Sequence, residues 1–443
     1  MKWGIWLSGL LAIALVVPTT PTTTAAQEAP EQPNILIILT DDQRAPGTMK
    51  VMKETRRLFG SGGTRYSNAV VTTPLCCPSR ASILTGQYAH NHGVHTNPDG
   101  DNLNPQHTMP KELKEAGYLT AITGKYLNTW RAPPAFFDRW ATFSGQRAYY
   151  EVRFDVNGTL QETDEYSTDF IAEKTVEFLR DFESYDDRPW LMYVAPNAPH
   201  SPAIYEPEYE LARLPKWRTN PAVEENNLRD KPQWVHDSAE ISMRDVKRLR
   251  EDQLRTLLSV DELVARTFAE IDELDEEGNT LAFFLSDNGW TWGEHGLQGK
   301  DAPYNESVKV PFYVRWPGHV EPGTDDRIVA NIDIAPTIYE ATGVLPDYLV
   351  DGKSIFTSDR DYAYLEFYET PRENVPSWHS LWYPDSTYIR YKDTGEREAY
   401  YPSDPWQLRN LYGDTIEGNE PADEPFFDGL LEAGASCVGI LCP

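Results

Sequence analysis

Positive charge is scarce in this chain. Forty lysines and arginines stand against 69 aspartates and glutamates, a formal net charge of −29 over 443 residues. That deficit speaks against non-specific binding to nucleic acid or to anionic membranes. An anionic substrate must therefore be drawn in by a local basic pocket, not by the overall field. Cysteine is also scarce, with four in all. Cys437 and Cys442 are close enough to pair in an oxidising compartment, whereas the neighbours Cys76 and Cys77 are poor partners because the bridge between adjacent residues is strained. The N-terminal apolar run, Trp3 to Val17, falls short of the about 20 residues that a membrane span needs. Several catalytic signatures are missing too. There is no Gly-x-Ser-x-Gly elbow and no His-Glu-x-x-His zinc helix, and Cys76 and Arg80 are too close for a cysteine phosphatase. No internal repeat and no low-complexity tract follows the N-terminal region.

What is present begins with an expected secretory signal peptide, residues 1–26, ending in the small residues Thr24-Ala25-Ala26. The mature protein is therefore expected to be secreted or otherwise extracytoplasmic, free of the membrane once the signal is cleaved. Asn34 to Leu39 is a continuous apolar run, the pattern of a strand buried on both faces of a parallel sheet. Tyr118 to Thr123, Trp190 to Val194, Leu281 to Leu285 and Val310 to Trp316 repeat that pattern. Helical spacing separates them at Lys111–Gly117, Ser167–Phe182, Ile241–Leu274 and Asp333–Thr342. Alternating strands and helices predict an α/β fold, with a large, mostly parallel sheet flanked by helices. From about Asp351 short aromatic runs take over, predicting a small antiparallel sheet and a terminal helix around Phe426 to Ala433. The expected organisation is a catalytic part at 33–350 and a small C-terminal α+β part at 351–443. Ser201 to Asp237, irregular and rich in Pro, Trp and Tyr, is expected to form a loop on the rim of a cleft. Asn157-Gly158-Thr159 and Asn305-Glu306-Ser307 are glycosylation sequons.

The chemistry gathers at strand ends. The first strand runs into Asp41-Asp42, another into Gly124-Lys125, a third into Pro199-His200, and a fourth into Asp287-Asn288. Open α/β folds place their ligands at this edge. Pro74-Leu75-Cys76-Cys77-Pro78-Ser79-Arg80 adds a helix start. Proline suits the first turn, and the helix N-terminus favours anions and activates a nucleophile. Read as a site, Cys76 faces an anionic substrate; read as structure, two cysteines are buried beside a solvent-facing arginine. Asp41, Asp42, Asp287 and Asn288 offer only oxygen, which selects calcium, or magnesium in its place, over zinc. Lys125 and Lys300 suit the oxygens of a sulfate or phosphate. His200, between Pro199 and Pro202, suits protonation of a leaving oxygen. His90, His92 and His95 are dense but lack the rest of a zinc constellation.

Cys76-Cys77-Pro78-Ser79-Arg80 followed by Leu84-Thr85-Gly86 resembles the signature of the type I sulfatases. Asp41-Asp42, Gly124-Lys125, Ala198-Pro199-His200, Ser286-Asp287-Asn288-Gly289 and Gly299-Lys300 carry the likeness through most of the chain. Cys76 to Val94 and Gly124 to Asn128 look most like the branch of the N-acetylglucosamine-6-sulfatases and heparan 6-O-endosulfatases. The resemblance implies an alkaline-phosphatase-like fold. It implies that Cys76 is oxidised to formylglycine (3-oxoalanine) by a formylglycine-generating enzyme, and that the aldehyde hydrate attacks sulfur. It further implies that Asp41, Asp42, Asp287 and Asn288 bind calcium with residue 76, Arg80 and Lys125 hold the hydrate, Lys300 grips the sulfate, and His200 serves the leaving group. Many sulfatases carry a histidine just after the lysine matching Lys125; here those positions are Leu127 and Asn128. That histidine assists the elimination of sulfate; in its absence either Asn128 contributes only a hydrogen bond or His92 or His295 takes over, His295 being alternatively a contact for the substrate. The expected activity is hydrolysis of a sulfate monoester on a small molecule or glycan. The alternatives are a formylglycine-dependent phosphonate or phosphate ester hydrolase, and an unmodified carbohydrate-binding protein.

Overall fold

Asn34–Thr40 (β1) lies at the centre of a 10-stranded sheet. Its side chains explain its composition. Leu36 and Ile38 enter one apolar core, while Ile35, Ile37 and Leu39 enter another on the opposite face. A strand covered on both sides has no polar face, so it reads as an unbroken apolar run. The computed structural model describes Met1 and residues 32–443, apart from 131, 144–148, 186–187, 371–373, 414–415, 417 and 422. The expected signal peptide lies outside the described residues.

The other strands of the large sheet are Thr64–Val70 (β2), Leu119–Lys125 (β3), Arg139–Phe143 (β4), Val152–Val156 (β5), Thr159–Thr163 (β6), Trp190–Ala195 (β7), Thr280–Ser286 (β8), Phe312–Arg315 (β9) and Gly323–Ala330 (β10). Their order is β10-β2-β9-β8-β1-β7-β3-β4-β5-β6. The run from β8 through β1, β7 and β3 to β4 is parallel. β9 inserts antiparallel between β8 and β2, and the β5–β6 hairpin extends the other edge antiparallel. The sheet is thus mixed, with a parallel centre. Ser167–Glu183 and Met243–Glu273 pack on one face through Phe170, Phe178, Leu254, Leu257 and Leu263. Cys76–Thr85 (α1), Met109–Glu115 and Ile334–Thr342 pack on the other through Ala81, Ile83, Leu113 and Ile338.

A four-stranded antiparallel sheet follows: Ala363–Phe367, Trp378–Trp382, Thr387–Tyr391 and Arg397–Tyr400. The terminal helix Glu424–Gly434 lies against it, with Phe427 stacked on Tyr388 at 5.3 Å between ring centroids. Gln32–Pro443 forms one compact unit. Cys437 and Cys442 are joined by a disulfide, while Cys76 and Cys77 are free and buried. No described helix is long and apolar enough to cross a membrane.

Candidate active site

Strand register brings the acids together. β1 and β8 run parallel with Thr40 opposite Ser286, so Asp41-Asp42 and Asp287-Asn288 leave the sheet side by side. The Asp42 N–H donates to Asp287 Oδ1 at 3.1 Å, and Asn288 Nδ2 donates to Asp42 Oδ1 at 2.7 Å. Asp42 sits at φ 68°, a left-handed turn that swings its carboxylate back over the strand ends. β7, beside β1, delivers His200 from the loop after its end, and the Asp41 N–H donates to Ala198 O at 3.3 Å. β3 ends in Lys125. Gly124 before it has φ +92°, and a Cβ there would lie 2.1 Å from the Ala195 carbonyl oxygen. Only glycine lets the two backbones approach so closely.

α1 supplies the rest. Leu75 is extended and the helix begins at Cys76, so Pro78 lies in the first turn, where its missing N–H leaves no bond unmade. Asn97 Oδ1 accepts from the Cys77 N–H at 2.9 Å and caps the turn from a distant loop. Asn331 Nδ2 donates to Ser79 Oγ at 2.9 Å while its Oδ1 accepts from the Thr72 N–H at 2.9 Å, bracing the approach to the helix. Gly86 ends α1 in the left-handed conformation, the ordinary role of glycine after a helix.

Around Cys76 the groups converge. Its Sγ lies 3.4 Å from Asp41 Oδ1, and Lys300 Nζ donates to it at 2.7 Å and to Asp42 Oδ1 at 2.6 Å. Lys125 Nζ donates to Asp41 Oδ2. Arg80, fully buried and not solvent-facing, donates from Nε to Asp287 Oδ2 at 2.8 Å and from Nη1 to the Lys125 carbonyl at 2.8 Å. His200 Nε2 is 3.7 Å from Asp42 Oδ2, with about a third of its side chain exposed, 32%. Thus Asp41, Asp42, Cys76, Arg80, Lys125, His200, Asp287, Asn288 and Lys300 form one cluster.

Electrostatics divide the cluster. Burial would raise the Asp41 carboxyl, but Lys125, His200, Arg80 and Lys300 hold it well below the usual carboxylate range. Asp287 is pushed up by burial and by the charge of Asp41, against Arg80 and Lys125. The Cys76 thiol is pushed well up by burial and by Asp41, against Lys125 and Lys300. The helix N-terminus therefore does not make this thiol a ready thiolate. Lys300, despite its burial, is held charged chiefly by the Asp42 carboxylate.

A cation fits these donors. Ligand oxygens of Asp41, Asp42 and Asp287 lie within 4.8 Å of one another. Asp42 Oδ2 and Asn288 Oδ1 are buried and accept no hydrogen bond. Lone pairs left open in a buried all-oxygen nest suit a hard divalent ion.

The remaining candidates stand elsewhere. His92 accepts from the Val94 N–H at Nδ1 (3.1 Å) and meets Ser82 Oγ at Nε2 (3.0 Å), so both ring nitrogens are used beneath α1. Burial pushes its pKa down to about 3. His90 pairs with Glu366, and His95 stacks on Tyr368 at 4.1 Å. Among the described residues, these three histidines do not gather their nitrogens around a common point fit for a metal. His295 pairs with Glu225 at 2.7 Å and packs on Tyr304. Asn128 meets the Cys77 thiol through its backbone and leaves its buried Oδ1 without a partner. Trp290 went unnoticed in the sequence. It lines a cavity of about 450 Å³ with Lys300, Trp234 and Ile241, and the Lys300 ammonium lies 6.0 Å from its ring centroid. Its position directly after Ser286-Asp287-Asn288-Gly289 was the available signal.

A family model described as Sulfatase matches residues 33–344, and one described as N-sulphoglucosamine sulphohydrolase, C-terminal, matches residues 293–420. Human N-acetylglucosamine-6-sulfatase is 34% identical over 353 residues, covering 73% of this chain and 64% of the relative. Extracellular Sulf-1 homologues of Caenorhabditis elegans and Drosophila melanogaster also match; the chain covers 51% and 31% of their lengths. It thus spans about half the length of the curated relatives it matches. A solved structure described as bound to its substrate D-glucosamine-2-N,6-O-disulfate superposes with a TM-score of 0.76 at 25% identity, covering 91% of this chain and 97% of the other. A phosphonate monoester hydrolase from Silicibacter pomeroyi shares the fold, with a TM-score of 0.71 at 20% identity and coverage of 90% and 94%.

Proposed function

The chain belongs to the sulfatase family, and on that premise we propose that it hydrolyses a sulfate monoester of a sugar, with residue 76 as nucleophile beside a divalent cation. The observation that carries this reading is the meeting of Cys76 with Asp41, Asp42, Lys125 and Lys300 at the sheet edge. A buried, protonated thiol is a poor nucleophile. Oxidised to formylglycine by a formylglycine-generating enzyme, residue 76 supplies as its hydrate one hydroxyl for attack on sulfur and a second that permits release of sulfate. A cation held by Asp41, Asp42, Asp287 and Asn288, calcium or magnesium, supplies Lewis-acid chemistry toward the sulfate oxygens.

The chain's own groups do the rest. Lys300 lies between residue 76 and the cavity, where its ammonium binds a sulfate oxygen. Lys125 and Arg80 fix the carboxylates of Asp41 and Asp287 beside residue 76. His200, partly open to solvent, gives its proton from Nε2 to the departing ester oxygen. Asn128, with an Oδ1 that has no partner, is the further candidate for a contact to the sugar, whereas His295 is fully buried against Glu225 and Tyr304 and serves to hold that wall. The sugar is the favoured alcohol because the human relative is named for N-acetylglucosamine 6-sulfate and the solved structure for a glucosamine disulfate. Residues 33–350 form the catalytic part and 351–443 a smaller C-terminal part. Export through the N-terminal signal fits the extracellular relatives.

Turnover of the sulfate, phosphate and phosphonate esters of one alcohol, 4-nitrophenol, tests the reaction class. The sulfate is expected to lead in kcat/KM by on the order of a hundredfold, about two factors of 1.4 kcal/mol in barrier. A preference for either phosphorus ester would replace this reading with the phosphonate or phosphate hydrolase.

A further inference from the structure

Behind the wall of the catalytic cleft lies a second cavity, of about 400 Å³. Residues 290–299 form the partition: Trp290 and Gly299 line the catalytic side, while Trp292 and Glu294 line the other. Five cations border the second cavity, Arg44, Lys50, Lys216, Arg218 and Arg250, against the single carboxylate of Glu294. In a chain of net charge −29 such a concentration is out of character. Arg44 already holds Glu294 at 3.0 Å, so that carboxylate is spent. Among the described residues, the other four cations have no ion pair.

Arg250 is the decisive group. Only 4% of it is exposed, yet among the described residues its sole hydrogen bond is from Nη2 to the Pro215 carbonyl at 3.3 Å, and its buried Nε has no partner there. A guanidinium buried without an anion is costly, and such groups are ordinarily paired. It is held between two indoles, 5.6 Å from the Trp217 centroid and 5.3 Å from that of Trp292. Burial and the neighbouring charge of Arg44 pull its pKa down against Glu251, so an incoming anion would relieve both costs. Trp406 adds a third indole to the lining. Aromatic faces beside a fork of guanidinium donors match an acidic sugar: apolar C–H faces lie on indole, and sulfate or carboxylate oxygens take the N–H groups. The volume suits one or two sugar rings.

We propose that this cavity is a second binding site for an acidic, sulfated saccharide, separate from the site of hydrolysis and centred on Arg250. The choice of a sulfated sugar rests on the proposed sulfatase reading; the demand for an anion rests on Arg250 alone.

Equilibrium binding of a heparin hexasaccharide to the full chain carrying Cys76→Ala tests this without turnover, followed by calorimetry. Arg250→Gln in that background is expected to weaken binding by about tenfold, as loss of a bidentate charged contact does. Lys216→Ser with Arg218→Ser, both exposed and harmless to folding, is expected to weaken it by about threefold or more. The same hexasaccharide stripped of sulfate is expected to bind more weakly than the parent, and inorganic sulfate alone to compete at millimolar levels. Binding unchanged in both variants would overturn the proposal, as would equal binding of the stripped sugar. Failure of the sulfatase reading would show instead as absence of sulfate ester turnover in the unmutated protein.

Discussion

Cys76→Ala is expected to lower turnover of 4-nitrophenyl sulfate by roughly 10⁵-fold or more, the scale on which loss of a nucleophile acts in other hydrolases. The fold should survive. Residue 76 is the first residue of α1, a position that accepts alanine, and the change removes one sulfur atom from a polar nest, not from an apolar core. A stability change of about 1 kcal/mol is the ordinary scale for such a substitution. Cys77→Ala is the internal control. It changes the adjacent residue, whose thiol enters the apolar core beneath α1 and touches neither the acids nor Lys300. Activity should persist there. Comparable rates for Cys76→Ala and the parent, with matched melting curves, would remove residue 76 from the chemistry.

Calcium is expected to raise the melting temperature, and chelation to abolish turnover. Asp41, Asp42 and Asp287 bring their oxygens within 4.8 Å in a buried site, and although Lys125, Arg80 and Lys300 match them in charge, Asp42 Oδ2 and Asn288 Oδ1 are left without a hydrogen bond. An ion bound to the folded state alone adds about 2.7 kcal/mol at a hundredfold excess over Kd. For a protein of this size that amounts to a few degrees, on the order of 2 °C per kcal/mol. Asp42→Ala should erase the shift because it removes the carboxylate whose Oδ2 accepts no hydrogen bond. The melting readout is independent of catalysis. A chelated protein that keeps its activity, with a melting point indifferent to calcium and magnesium, would rule out the cation.

Legibility from sequence followed burial. β1, β3, β7 and β8 are covered on both faces, so their apolar runs stood out, and the reactive residues directly after them were legible for the same reason. The edges were not. β2 mixes buried and open positions, β10 is open over its first five residues and buried only over its last three, and β6 is almost wholly exposed. At β5–β6 the cue was present but read otherwise. Asn157-Gly158 registered as a glycosylation sequon, yet both residues have positive φ and join paired strands in a two-residue turn, for which Asn-Gly is the strongest short signal. In the site, Asn97 and Asn331 escaped notice because they reach α1 from separations of 20 and 252 residues, and a lone asparagine carries no local mark of such a role. His92 failed for the opposite reason. Crowding of histidines in the sequence says nothing about direction, and a short turn at Ala89–His92 aims this ring back under the helix.

The central claim is that residue 76 works as something other than cysteine. Mass spectrometry of the peptide spanning Pro74 to Arg80, from protein made in its native host, tests it directly. The expected result is an aldehyde or its hydrate at residue 76, with Cys77 retaining its thiol. An intact thiol at both positions in protein of full activity would contradict the account.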